Sequence, residues 1–320
     1  MSTPEQLVTA DQAEQGLAAP AATGPGPTRR FAIWRQPAAL FGIVIIVITA
    51  VLAIFAPLVA PYGLHQQVGP PFGAPSAHHW LGLDDGGMDV VTQLIYGARV
   101  SLLVGFAASA VSIIIGGTVG LLAGYFGGAS ESVLMRVTDF FLVIPILPLM
   151  IVVAALWGSN LTNIILIIGL LSWTISARVV HAQVKSVSKR MFILRARALG
   201  AGHMRILSRH VLPHIAPLLV ANTALAIGNA IFFESALAFL GLSDPTKVSW
   251  GTMISNAAHR DAVSSGAWWA IVPPGLAIAL VILAASFIGR AVEDAFNPRL
   301  AVAHLGLRRF RLRQSDPGEQ

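Results

Sequence analysis

The sequence predicts an all-α integral membrane protein with six transmembrane helices. Of its 320 residues, 55% are hydrophobic and only 11% are charged. A water-soluble domain carries about 25% charged residues, because a surface facing water needs them. The apolar residues also gather into runs that match the roughly 20 residues a helix needs to cross a bilayer core about 30 Å thick. The basic residues sit between these runs, so the formal charge of +6 is a topology signal and predicts no nucleic-acid partner. The chain has no cysteine, which excludes a disulfide framework and cysteine-ligated metal.

The elements follow in order. Met1–Thr28 is rich in Ala, Pro, Gly and Thr, with three acids and no base, and predicts a disordered tail. Arg29, Arg30 and Arg35 precede the first uncharged run, 38–60. That run exceeds the roughly 7–15 residues of a signal-peptide core, so it predicts an uncleaved anchor. The second span is expected within 100–130, its apolar part ending near Gly124–Gly128. Residues 140–177 are uncharged, but one helix of that length would reach about 57 Å. The chain must therefore turn, and the polar stretch Gly158–Asn163 is where it is expected to do so; this gives spans three and four. Residues 211–233 form span five, continuing past Glu234 to Leu242, and 267–289 form span six.

Lys and Arg on short flanking segments set orientation. If the N-terminus is inside, 18 of the 21 basic residues fall on the inner face, leaving Arg99, Lys247 and Arg260 outside. Both termini are expected in the cytoplasm.

One inner loop is long. Between His181 and Arg209 it holds seven Lys/Arg and no acid. Strong helix formers predict a helix through Leu199, a turn at Gly200 and Gly202, and a second helical piece ending at Pro213, where span five starts. Read from the residues alone, this is either a rigid knob for a partner or an amphipathic helix lying on anionic lipid.

Several side chains stand out. Gly116, Gly120 and Gly124 share one helix face, a spacing that lets helices approach closely in lipid; the contact is either within the subunit or between subunits. Asp139 lies three residues after Arg136, a spacing that predicts an ion pair. Glu234 is an acid inside an apolar span, which is costly and marks either a solute path or a bundle contact. Asn222 and Asn229, seven residues apart on one face, are path candidates with it. His210 and His214 are two ligands at most, too few for a metal site, and no metal is expected. No phosphate-binding Gly-x-x-x-x-Gly-Lys-Ser/Thr loop and no hydrolase motif is present, so any ATP that drives this protein is bound by another chain.

Arg195-Ala196-Arg197-Ala198-Leu199-Gly200, followed after nine residues by His210-Val211-Leu212-Pro213, resembles the EAA loop of binding-protein-dependent ABC permeases. Leu194 stands at that pattern's Glu position and Arg195 at its first Ala. The stretches His79-Trp80-Leu81-Gly82-Leu83-Asp84 to Met88-Asp89, Leu94-Ile95-Tyr96-Gly97-Ala98-Arg99, Glu234 to Leu242 with Ser249-Trp250-Gly251, and Glu293-Asp294-Ala295-Phe296-Asn297-Pro298-Arg299 are similar to the dipeptide/oligopeptide/nickel branch, most of all to its second permease. Met88 replaces that branch's usual arginine.

The resemblance implies a type I ABC importer permease fold, embedded in the bacterial cytoplasmic membrane and without enzymatic activity of its own. It divides the chain into a tail (1–28), a first span with an extracytoplasmic segment (29–96), a permease domain (97–290) whose coupling loop is 181–210, and a cytoplasmic tail (291–320). Arg195, Ala196, Arg197, Ala198, Leu199, Gly200, Ala201, His203 and Arg205 are expected to meet an ATPase. The implied partners are a second homologous permease, two cytoplasmic ATP-binding subunits that hold the ATP and Mg, and an extracytoplasmic solute-binding protein. This chain binds no cofactor itself. The implied cargo is a di- or oligopeptide; nickel or another small solute is the alternative within the family, and a stand-alone secondary transporter the alternative outside it.

Overall fold

A computed structural model describes residues 36–296. The tail 1–28, Arg29, Arg30, Arg35 and residues 297–320 lie outside the described residues. Helix α1 spans Pro37–Ile54, and α2, Ala56–Val59, extends it by a turn. The next segment runs without regular helix until α3, Val90–Phe126. α4, Gly128–Val143, and α5, Ile146–Trp157, follow, then α6, Leu161–Ser188. Two short pieces, α7 at Met191–Ala198 and α8 at His203–Ile206, lead through a π-turn, Leu207–Val211, into α9, Leu212–Phe239. α10, Trp250–His259, precedes α11, Val272–Phe296.

Among the described residues, five helices are long and apolar enough to cross a membrane, and the α4–α5 pair, bent by 85°, makes the sixth crossing if it counts as one broken span. The third span, expected to run from about residue 140 to the Gly158–Asn163 turn, is broken at Ile144–Pro145. Pro145 lacks an N–H and disfavours helix at the residue before it, and the chain leaves helical geometry at Ile144. α5 alone, at 12 residues, rises only about 18 Å.

One other boundary moves. α3 starts ten residues before Val100 because Asp89 caps it, accepting from Thr92 N at 2.8 Å. Its 37 residues reach about 55 Å, well past the bilayer core. Span five starts where expected, since α9 begins at Leu212 with Pro213 in its first turn, and the pieces before it join it in one helical run from His203 to Phe239. Proline removes one i→i−4 bond, and the π-turn accommodates this, with Leu212 N bonding back to Leu207 O. The turn at Gly158–Asn163 forms where expected: Gly158 has φ +86° and Asn160 caps α6 by accepting from Asn163 N at 2.8 Å.

α3 and α6 form the most extensive helix pair, α9 packs on α3 and α11, and α1 closes against α11. The end of the bundle that carries the 60–89 segment is knitted by long-range bonds. Trp269 Nε1 donates to Leu83 O at 3.1 Å, and Trp250 Nε1 to Leu94 O at 3.0 Å. At this end burial holds the Asp84 carboxyl above the usual range although Met88 N and Gly86 N donate to it, whereas the Thr246 hydroxyl lowers Asp244. The α7–α8 loop lies at the opposite end.

Candidate functional site

The loop between α6 and α9 is built as a helix, a glycine turn and a helix. α7 ends in a Schellman motif: Gly200, at φ +80°, donates to Arg197 O at 2.9 Å and Ala201 N to Ala196 O at 3.0 Å. Ile193 and Ile206 are fully buried against Val180, Val184 and Val211, with Ala196 and Ala201 packed at the edge of that cluster. The opposite side faces away from the bundle. Leu199 is 88% and Met204 77% exposed, Arg195, Arg197, Ala198 and Arg205 are exposed, and nothing lies within 4 Å of a Cβ built on Gly200 or Gly202. The turn thus presents apolar side chains flanked by arginines, a pattern that suits a protein partner or anionic lipid.

Sequence reasoning missed the residue that fixes this loop to the bundle. Tyr125, at the end of α3, is buried. Its hydroxyl lies 3.0 Å from His203 Nδ1, and the Arg197 guanidinium stands 5.0 Å over its ring. Both arms of the turn thus meet one tyrosine. No local spacing signals a pair separated by 78 positions.

Midway along the spans, Asn222 and Asn229 line a cavity of about 120 Å³ together with Ser109, Ser112, Ser172 and Ser176. Asn222 Nδ2 donates to Ser176 Oγ at 2.9 Å, and Asn229 is exposed. The four serines form i, i+3 and i, i+4 pairs within apolar spans, which is, with the two asparagines, the trace of this cavity in the sequence. Glu234 does not join this cavity. It is 2% exposed, on another side of α9, against the hydroxyls of Ser249, Ser235 and Ser101. It thus ties α9 to α3 and to the capping residue of α10, a contact within the bundle.

Gly116, Gly120 and Gly124 face α6 of the same chain. A Cβ at these positions would meet the carbonyl oxygens of Trp173, Ala177 and His181 respectively. Asp139 pairs with Arg178 at 2.5 Å, which corrects the expected pair with Arg136. α4 lies alongside α6, and that packing brings Arg178 to the acid; Glu131 likewise meets His181, at 2.9 Å, and Lys185. His214 Nδ1 donates to His210 O at 2.8 Å, and its ring stacks on Phe192.

The described residues thus form a bundle of membrane-crossing helices that presents a helix–glycine–helix knob at one end. The family profile described as binding-protein-dependent transport system inner membrane component matches residues 116–302, and the N-terminal TM domain of oligopeptide transport permease C matches 29–72. The chain belongs to the binding-protein-dependent transport system inner membrane components. It is 38% identical to the dipeptide transport system permease protein DppC of Alkalihalophilus pseudofirmus over 82% of this chain and 86% of that one. It is 34% identical to the di/tripeptide transport system permease protein DppC of Pseudomonas aeruginosa, covering 88% and 95%. Its fold is similar to that of the MetNI methionine ABC transporter in an inward-facing conformation, with TM-score 0.51, 20% identity, and coverage of 62% of this chain and 96% of that one.

Proposed function

We propose that this chain is one of two homologous permease subunits of an ATP-driven peptide importer, together forming the membrane pore. The observation that carries this is the exposed α7–Gly200–α8 knob, a preformed seat for a cytoplasmic ATP-binding subunit. Two such subunits hold the ATP and Mg, and a solute-binding protein delivers cargo at the 60–89 end. Closure of the ATPases drives the knob as a rigid body, and the bundle switches between two packings. The relatives' names, dipeptide and di/tripeptide permeases, support peptides over nickel, and family membership stands against a transporter that works alone.

The test is growth on a dipeptide as sole nitrogen source, in cells lacking this chain and in cells with it restored, alongside purification of the tagged chain from membranes. Restored growth and a stoichiometric ATP-binding partner are expected. A lone homo-oligomer that supports no peptide uptake would refute the reading.

The knob end and both termini face the cytoplasm in this proposal, which follows from the distribution of basic residues. Because the chain lacks cysteine, single cysteines report orientation directly. Both Ala77 and Ser186 are exposed. An impermeant reagent added outside intact cells should label Ala77→Cys and spare Ser186→Cys; the reverse pattern would invert the topology.

A further inference from the structure

We infer that the cavity between α3, α6 and α9 is a subsite for uncharged amide groups, and that on the peptide-pore reading, on which this rests, it holds the main chain of the cargo. Its polar lining is four serine hydroxyls and two asparagine carboxamides, and no ionisable side chain lines it. The six groups sit near the middle of three long helices, where polar side chains are costly unless they meet partners.

The hydroxyls mark the site by departing from a local habit. Within membrane-crossing helices, Ser and Thr commonly satisfy their hydroxyls on the carbonyl four residues back. Several in this chain do so: Thr118 donates to Ile114 O at 2.6 Å, Thr223 to Leu219 O at 2.7 Å, and Ser235 and Ser286 to Ile231 O and Ile282 O at 2.8 Å, whereas Ser188, the last residue of α6, is buried singly without a partner. Ser112 and Ser172 do not. Both hydroxyls are buried without a hydrogen-bond partner, Ser112 is 2% exposed, and both residues line this one cavity. Buried polar groups are nearly always paired, so a pair left open at one place points to a ligand. Ser109 and Ser176 are already engaged, with Phe106 O and Asn222 Nδ2.

The chemistry of the lining selects the ligand class. A hydroxyl or a carboxamide can both donate and accept, so the set matches a group that offers N–H and C=O together, which is the peptide main chain. A charged terminus or side chain would find no countercharge here and would pay for its lost water. Ile146, Ile168 and Phe233 complete the wall and give cargo side chains a surface that does not discriminate by charge pairing. The subsite therefore reads the backbone that all peptides share.

The test uses the whole importer in vesicles with its binding protein, carrying wild-type chain or Ser112→Ala/Ser172→Ala. Uptake of Ala-Ala-Ala is measured beside the ATPase activity that the loaded binding protein stimulates, and uptake is repeated with Ala-Lys-Ala and Ala-Glu-Ala. The expected result is about tenfold slower uptake, equivalent to about 1.4 kcal/mol, with stimulated ATPase activity retained. The loss should be the same, within about threefold, for every peptide the wild type carries. Unchanged uptake would overturn the subsite, as would a parallel fall of uptake and ATPase activity. A loss confined to one side-chain type would overturn the main-chain assignment. Failure of the wild-type complex to carry any of the three peptides would instead sink the peptide-pore reading itself.

Discussion

Gly120→Val is expected to prevent the subunit from accumulating in folded form, whereas Gly117→Val, three positions earlier on the same helix, is expected to be nearly silent. A Cβ at Gly120 would lie 2.5 Å from Ala177 O and 2.9 Å from both His181 N and Val180 Cβ. Two of those three atoms belong to the α6 backbone, so no rotamer change relieves the clash and the helices must separate. Overpacking costs about 1–3 kcal/mol where side chains can yield, and here the cost falls at the top of that range or above it. Total stability is typically about 5–15 kcal/mol, and α3–α6 is the most extensive helix contact in the bundle. At Gly117 the nearest atom to the added carbon is Leu219 Cδ2 at 3.6 Å, an ordinary contact with a flexible neighbour. Detergent-stable yield and melting temperature of the purified chain check the pair. Equal yields would show that the glycine stripe does not hold α3 to α6.

Much of this fold was legible because lipid imposes a one-dimensional rule. Charge-free runs near Ala38, Val100, Phe140, Val211 and Ala267 had to be helical, and each seeds a crossing. What the rule leaves out is where a helix bends or how far it projects beyond the bilayer. Hydropathy scores Pro145 and Pro148 as mild interruptions, so the 85° bend went unread although proline's missing N–H predicts it. Pro213 does mark the start of α9, but the π-turn before it keeps the helical run from His203 continuous. Asp139 shows the limit of local spacing: Arg136 is near in sequence, yet the packing of α4 on α6 supplies Arg178.

The candidate sites divide along the same line. The Arg195–Arg205 turn was readable because the glycine that closes the Schellman motif is itself the sequence signal. The separation of Glu234 from Asn222 and Asn229 depends on which side of α9 each residue faces and on what packs there, and only the assembled bundle gives this. Tyr125 and the unpaired hydroxyls of Ser112 and Ser172 belong to the same class, since their significance lies in partners, or in missing partners, on other helices. Tyr125 joins the two regions: it holds the knob through Arg197 and His203 and ends the helix on which Ser109 and Ser112 line the central cavity.

Gly200→Val is expected to leave the membrane spans inserted while lowering solute uptake at least tenfold, by weakening ATPase binding or by uncoupling hydrolysis from transport. The insertion half follows because no apolar run changes. The transport half rests on backbone geometry. Gly200 sits at φ +80°, and a β-branched residue in that region is strained by about 1–2 kcal/mol or more. Nothing within the subunit lies within 4 Å of the added carbon, so strain rather than an internal clash drives the change. Relief of that strain undoes the Schellman closure and re-aims Leu199 and Met204, the most exposed apolar side chains of the turn. Gly202→Val separates conformation from bulk. It adds the same volume two residues on, also with nothing within 4 Å, but at φ −66° and ψ 154°, where valine is comfortable. Gly200→Asn, which tolerates positive φ better than other side chains, should keep most of the activity. The measurement is uptake beside binding-protein-stimulated ATPase activity in vesicles holding all subunits. Loss with Gly200→Val but not Gly202→Val assigns the effect to the turn, and equal loss in both assigns it to bulk at the partner contact. Normal uptake and normal stimulation in Gly200→Val would show that this turn does not couple the subunits, and the proposed seat of the ATPase would fall with it.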